Sequence, residues 1–538
     1  MRTQRRHFLT HGARLGASTF AAPLVSWAQT KATNVNWYQG ELIHLIPTAS
    51  DTRFLIKTSW KTARKTAPML KVGSRRVQGV RTDTEGRFWR FDVDSLTPAT
   101  NYRLQLLGAD GRTLTDVWEL KTFPAPAAKT EHCRILAYTC AGGYDSVPLR
   151  GRTGFLDMAV RQQLLARGLS FKPDVVLANG DHIYWDQKTF DNKAFAAVVK
   201  KEIRPKFGGE LDLSLPMYHA RNLPIFTAVC DYQIARLYGV SLRSTPAYFL
   251  SDDHDMFEND EFDDTVATLP VEDYGRVGAE LTQTMYYPEF LPDANRPAWL
   301  PGGDKAGLPT GTNMCFGTLR YGRLLEAVMY DCRRYLDNKG QHARVVPAWV
   351  EDWLIARTRA EDTDQLIHMP SLPLGYSSGK LGDWYPDLLD AATGKLTLSK
   401  PKVGWMSGWH KQHQRLVAAL AEQKTRAGVV VQGDFHASSA AAMTQSAELQ
   451  LAHPVHLIMA GTLGTGDLGF PSAFRSIDST PAASVTLQEV LKPTEKNGFT
   501  IIDVTPSKMI FSLYTWRAPQ RVEEIDTMQP TAVYEVKR

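Results

Sequence analysis

Four polar clusters in this chain each follow a short apolar run, and their residue types are those that hold metal ions. Ile135-Leu136-Ala137-Tyr138-Thr139 ends at Cys140, and Val175-Val176-Leu177-Ala178-Asn179 leads into Gly180-Asp181-His182-Ile183-Tyr184. Tyr248-Phe249-Leu250 leads to Asp252-Asp253-His254-Asp255, and Val429-Val430-Val431-Gln432 to Gly433-Asp434-Phe435-His436. Buried strands that end in polar residues are how α/β proteins build sites at the carboxyl ends of their strands. Gly180 and Gly433 each precede an aspartate, where a residue without a Cβ lets the chain turn sharply beside a bound ion. A lone Gly-Asp pair is a common turn; four clusters in one order carry the reading.

The donors divide by softness. A thiolate, a phenolate and an imidazole suit a transition metal, and the phenolate favours ferric iron. Carboxylates suit calcium, magnesium or manganese. Two cations about 3.5–4 Å apart can neutralise a phosphate ester, generate hydroxide and stabilise the attacking and leaving oxygens. A carboxylate can bridge them, and a histidine can protonate the departing alkoxide.

The elements that must position these residues follow from patterning. From residue 130 onward, β-branched runs alternate with helical stretches over 155–168, 347–360 and 410–426, which predicts an α/β layer structure. Strand-like patterning returns over 497–515. Residues 35–124 read as a small β-sandwich, with alternating runs at 54–58, 88–93 and 118–122 and a stretch at 96–104 similar to a tyrosine corner. Pro124-Ala125-Pro126-Ala127-Ala128 reads as a linker.

The first 28 residues read as a signal. Arg5-Arg6, a mild apolar stretch from 16 to 25, and Ser26-Trp27-Ala28 make a twin-arginine export segment, with Gln29 as the new N-terminus after cleavage. Removing its four arginines and no acid takes the formal net charge from +5 to +1. A near-neutral mature protein lacks the basic bias that nucleic-acid binding needs. Past the signal no apolar run approaches membrane-spanning length. Five irregularly spaced cysteines, without a CxxC pair, argue against a structural zinc site. Gly375-Tyr376-Ser377-Ser378-Gly379 matches a nucleophile elbow but lacks a convincing helix after it. Residues 461–466 lack the full dinucleotide fingerprint.

On these motifs the sequence, from about residue 130 to the C-terminus, resembles the PhoD-type alkaline phosphatase and phosphodiesterase family within the metallophosphoesterases. The resemblance implies two mixed β-sheets flanked by helices over 130–538, preceded by an immunoglobulin- or fibronectin-III-like β-sandwich over 35–124. It places Cys140 on iron, Asp181 as the bridging ligand through GDxxY, Tyr184 as the ferric ligand, and Asp434 and His436 on calcium-type and iron sites through GDxH. Asp253 falls on the second metal and His254 on the general acid. Asn259 is a further candidate ligand, not separable from Asp253 or Asp252. Arg333 or Arg334, in Tyr330-Asp331-Cys332-Arg333-Arg334-Tyr335, is implied to reach the substrate phosphate. Asp255 stands where the family usually has glutamate, Ala141 where it has glutamine, and the loop 141–145 also differs.

The expectation is therefore an exported hydrolase of phosphoric esters with Fe3+ and Ca2+ (or Mg2+ or Mn2+), in which a metal-bound hydroxide attacks phosphorus and His254 protonates the leaving oxygen. The substrate is expected to be a small phosphoester. The twin-arginine translocase would be a partner during export to the periplasm or the medium, and the protein would be monomeric. Two alternatives stand beside this reading: a phosphodiesterase of phospholipase D type, and a binding protein on a dead enzyme scaffold.

Overall fold

In the strand Trp118–Lys121 buried and exposed residues alternate strictly, the pattern of a strand with one face on a core. It belongs to an N-terminal sandwich of two four-stranded antiparallel sheets. One sheet runs, in spatial order, Leu42–Ala49, Phe54–Trp60, Phe88–Val93 and Val80–Arg81. The other runs Arg75–Gln78, Met69–Val72, Asn101–Leu107 and Trp118–Lys121. The Thr97 amide donates to the Tyr102 hydroxyl at 2.8 Å, which closes the tyrosine corner. The structure, a computed structural model, describes residues 37–145, 148–149, 152–185, 199–256, 273–303, 305–379, 383–390, 392–467 and 469–538. The signal segment 1–28 lies outside them.

Two mixed sheets follow. The six-stranded sheet runs Ala247–Leu250, Val175–Asn179, Cys133–Thr139, Asn497–Thr505, Lys508–Trp516 and Ala532–Lys537, the first three strands parallel and the rest antiparallel. The seven-stranded sheet runs Phe316–Tyr321, Leu325–Tyr330, Gln365–Pro370, Gly428–Gln432, Leu449–Ala460, Ser438–Ser446 and Val485–Thr494. Its second to fifth strands are parallel. Val175–Asn179 and Gly428–Gln432 are buried throughout, as parallel strands covered on both faces must be.

Each sheet carries its own outer core. Leu136, Tyr138, Val176 and Phe249 pack with Leu164 and Leu165 of the helix Met158–Ser170. Val328, Tyr330, Val430 and Leu457 pack with Leu354 and Leu416 of the helices Ala348–Ala360 and Ser407–Ala421. Polar side chains sew the sheets together. Asn179 donates to the Pro370 carbonyl at 2.9 Å, Gln365 to that of Thr505 at 3.0 Å, and Thr500 to that of Ala460 at 3.0 Å.

Two helices differ from the sequence expectation at their ends. The first begins at Met158 rather than 155, because Phe155 is extended and bridges Thr465. The last spans Ser407–Ala421 and stops short of 426, where the chain turns and the Arg426 guanidinium reaches the Arg357 and Thr358 carbonyls. Among the described residues no helix is long and apolar enough to cross a membrane. All five cysteines are free and buried.

The sandwich joins the rest of the chain through buried polar groups, and residues 39–538 form one unit. Lys57 Nζ lies 2.9 Å from Glu289 Oε1 and 2.7 Å from the Thr284 carbonyl, with both charged side chains fully buried. His44 bonds Ser59 Oγ at 2.5 Å and the Tyr286 carbonyl at 2.9 Å.

Burial pushes the pKa of His44 and His456 from 6.5 down to about 4 and that of His368 to about 3. Between about 4 and 6.5 His44 and His456 are neutral when folded and gain protons on unfolding, and His368 does so down to about 3. The stability tied to their neutral forms is complete above 6.5 and is lost as pH falls through that value toward about 4. Urea midpoints should decline across that window; a flat midpoint would contradict it.

Candidate metal centre

The loops that carry the candidate donors leave the strand ends in strained backbone. Cys140, Asp181, Asp434 and His436 have φ of 48°, 55°, 66° and 49°, a region that side chains with a Cβ rarely adopt and that clusters at functional sites. The two glycines make the loops fit. A Cβ on Gly180, where φ is 75°, would lie 2.5 Å from Asp252 Cβ. One on Gly433 would lie 2.3 Å from Thr139 Oγ1 and 2.9 Å from the Asn179 carbonyl.

The strand ends bring the side chains together. Cys140 Sγ is 3.3 Å from Asp181 Oδ2, and the Tyr184 hydroxyl is 3.2 Å from the same oxygen. His436 Nε2 is 2.9 Å from the Tyr184 hydroxyl and 3.8 Å from Asp181 Oδ2. Donor atoms of Cys140, Asp181 and His436 thus lie within 4.8 Å of one another. The same holds for Asp181, Asp252, Asp253 and Asp434, and for Asp181, Asp253 and His254. Asp181 is common to all three groups. The His254 ring lies against that of Tyr184, with centroids 4.3 Å apart.

The electrostatics favour cations. Three buried carboxylates share one guanidinium: Arg333, fully buried, is 2.7 Å from Asp252 Oδ1, 3.4 Å from Asp434 Oδ2 and 3.7 Å from Asp253 Oδ1. Such a concentration of buried charge is unfavourable unless something further neutralises it. Burial pushes the Asp252 carboxyl well up, against the pull of Arg333. Burial also opposes the Asp181 charge, but His254 and His436 outweigh it and hold that carboxyl below its usual range. Burial, with Asp181 beside it, raises the Cys140 thiol well above its ordinary value. Buried Asp181 Oδ1, Asp252 Oδ2 and His436 Nδ1 have no hydrogen-bond partner among the described residues. Lone pairs orphaned inside a carboxylate cluster fit metal coordination. The sulfur, phenol and imidazole on one side of Asp181 suit a transition metal, and the carboxylates on the other suit a hard divalent ion.

Cys140, Asp181, Tyr184, Asp253, His254, Asp434 and His436 therefore meet at one place. Asn259 lies outside the described residues. Arg333 stands among the carboxylates, whereas Arg334 turns to Asp331 at 3.2 Å and Ser251 Oγ at 3.3 Å. The Gly375–Gly379 run forms no nucleophile elbow: buried Ser377 gives its hydroxyl to Asp383 at 3.2 Å, and His413 bonds the Tyr385 hydroxyl at 2.7 Å.

Several supporting residues were invisible as motifs. Gln233 Oε1 accepts from the amides of Gly143 at 2.6 Å and Tyr184 at 2.8 Å. The Thr139 hydroxyl lies 3.1 Å from Cys140 Sγ. The rejected glycine-rich loop 461–466 braces Cys140: the Gly464 amide and the Thr462 hydroxyl donate to its carbonyl at 2.8 and 3.1 Å. Only an isolated threonine and a glycine-rich run marked these positions in the sequence.

Two mixed sheets with helices outside, and candidate donors where strands of both sheets end, make up a fold that is shared with solved structures. The chain is similar in structure to PhoD, with a TM-score of 0.57 at 13% identity over 92% of this chain and 88% of that one. It is also similar to the purple acid phosphatase PPD1 from yellow lupin (Lupinus luteus) seeds, with a TM-score of 0.54 at 12% identity over 93% and 75%. At these identities the likeness is one of fold. No protein-family model matches the sequence, and no curated protein matches it.

Proposed function

We propose that the protein is a metal-dependent hydrolase of phosphoric esters. The observation that carries this is Asp181, shared between a thiol–phenol–imidazole group and a carboxylate group. Cys140, Tyr184 and His436 would hold ferric iron; Asp253 and Asp434 would hold Ca2+, or Mg2+ or Mn2+; Asp181 would bridge. Bound there, a cation pair supplies charge neutralisation of the phosphate and acidifies a water nucleophile.

The chain's own residues do the rest. His254, which lies beside Tyr184 and Asp181, would hand its proton to the departing alkoxide. Arg333 would meet a phosphate oxygen at the edge of the carboxylate cluster as a charge-assisted donor. The likeness in fold to a purple acid phosphatase and to PhoD supports the reaction class. Rates on a monoester and a diester at matched pH would separate an alkaline-phosphatase-like activity from a phosphodiesterase, including one of phospholipase D type.

The metal assignment is tested by elemental analysis with a visible spectrum. The purified protein should contain iron and absorb in the visible, and Tyr184→Phe should lose that band. A colourless, iron-free but active enzyme would overturn the iron assignment.

We further propose that residues 1–28 direct twin-arginine export and that 35–124 and 130–538 are the mature protein's domains. N-terminal sequencing of exported protein should begin at Gln29.

A further inference from the structure

Asp255 follows the histidine proposed as the acid, yet its carboxylate turns away from the metal donors and into the backbone. It is fully buried in the short turn His254–Met256. Oδ1 accepts from the amides of His182 at 2.9 Å and Ile183 at 3.1 Å. Oδ2 accepts from the amides of Asp181 at 2.9 Å and Asp252 at 3.0 Å. Four main-chain donors thus converge on one side chain.

Three of them are consecutive. Successive N–H groups around a left-handed residue form a concave nest that holds anions, and Asp181 is that residue, with φ of 55°. The acceptor in this nest is the protein's own carboxyl group. The fourth donor belongs to Asp252, on the neighbouring loop. One carboxylate therefore holds Asp181 in its uncommon backbone conformation and ties its loop to the loop of Asp252, Asp253 and His254. The Gly180 amide donates to the Leu250 carbonyl at 2.7 Å in the same seam.

We propose that Asp255 is a positioning residue that sets the register between the two ligand loops, and so the placement of Asp181 between the two donor groups. It touches no ligand atom; it acts through the backbone of the residues that do. The inference rests on the metal-centre reading above. Supports that orient metal ligands typically change affinity by roughly 10–100-fold when removed. An asparagine has one acceptor oxygen and would turn an N–H2 toward two of the four donors. A glutamate keeps both acceptor oxygens but lengthens the side chain by one methylene.

The test uses the full chain, stripped with chelator and titrated with Mn2+, free ion being read by electron paramagnetic resonance. Wild type should bind two ions. Asp255→Asn should weaken both sites, by roughly 10–100-fold, and Asp255→Glu should give an intermediate loss. Glu289→Gln breaks the buried pair with Lys57, away from the loops, and serves as the stability control. It should lower the urea midpoint and leave Mn2+ affinity unchanged. Wild-type affinity in Asp255→Asn overturns the inference, as does wild-type affinity in Asp255→Glu should the asparagine variant not fold. An equal loss in Glu289→Gln also overturns it, since the effect would then be general destabilisation. A wild type that binds no Mn2+ sinks the metal-centre reading and this inference with it; the other overturning results sink the inference alone.

Discussion

Asp181→Ala is expected to lower kcat on a phosphoric ester by a factor on the order of 10³ or more, as when preorganised charge is removed from an active site. It should also deplete both metals, because the Asp181 carboxylate borders both donor groups. The two readouts separate this residue from its neighbours. Replacing Cys140 or His436 should deplete the iron-type site first, and replacing Asp253 the hard-ion site first. Circular dichroism should stay native, since the substitution removes a charge from a cluster in which carboxylates already crowd one another. A variant with full activity, or one that keeps both ions, would refute the bridging role.

The second large effect is expected of Gly180→Ala. Alanine there must adopt φ of 75° and place its Cβ 2.5 Å from that of Asp252. The left-handed conformation and the overpacking together should cost about 2–5 kcal/mol. The clash also pushes apart the loops of Asp181 and Asp253, so activity should fall along with stability. Gly111→Ala is the internal comparison: its φ is 83°, but nothing lies within 4 Å of the added Cβ. Urea midpoints of the two variants read the difference. If Gly180→Ala loses no more than Gly111→Ala, the close approach has been misjudged.

The cluster itself was legible because strand, glycine and acidic residue lie next to one another in the chain. Gly180-Asp181 and Gly433-Asp434 directly follow fully buried strands, and a local pattern suffices to find them. The residues that hold the loops are far off in sequence. Gln233 serves Tyr184 from 49 positions away, and no local signal marks a glutamine for that task. Ser438–Ser446 escaped notice because its core is Ala440, Ala441 and Ala442, small residues without β preference. Its partner strands Leu449–Ala460 and Val485–Thr494 bury it, so tertiary pairing decides its conformation. The apolar pattern starts at Phe155, ahead of the helix Met158–Ser170, because Phe155 packs on Tyr184, ring centroids 5.0 Å apart.

The position of Cys133–Thr139 has a consequence for biosynthesis. This strand is hydrogen-bonded on one side to Val175–Asn179 and on the other to Asn497–Thr505, so its second edge stays bare until residues 497–505 have left the ribosome. A nascent chain arrested at residue 490 would carry Cys140, Asp181, Tyr184, Asp434 and His436, yet lack the strand that flanks the first of them. Acquisition of the proposed ions would in this sense be a post-translational event, and removal of residues 499–538 should yield a product that is both metal-poor and prone to edge-to-edge association.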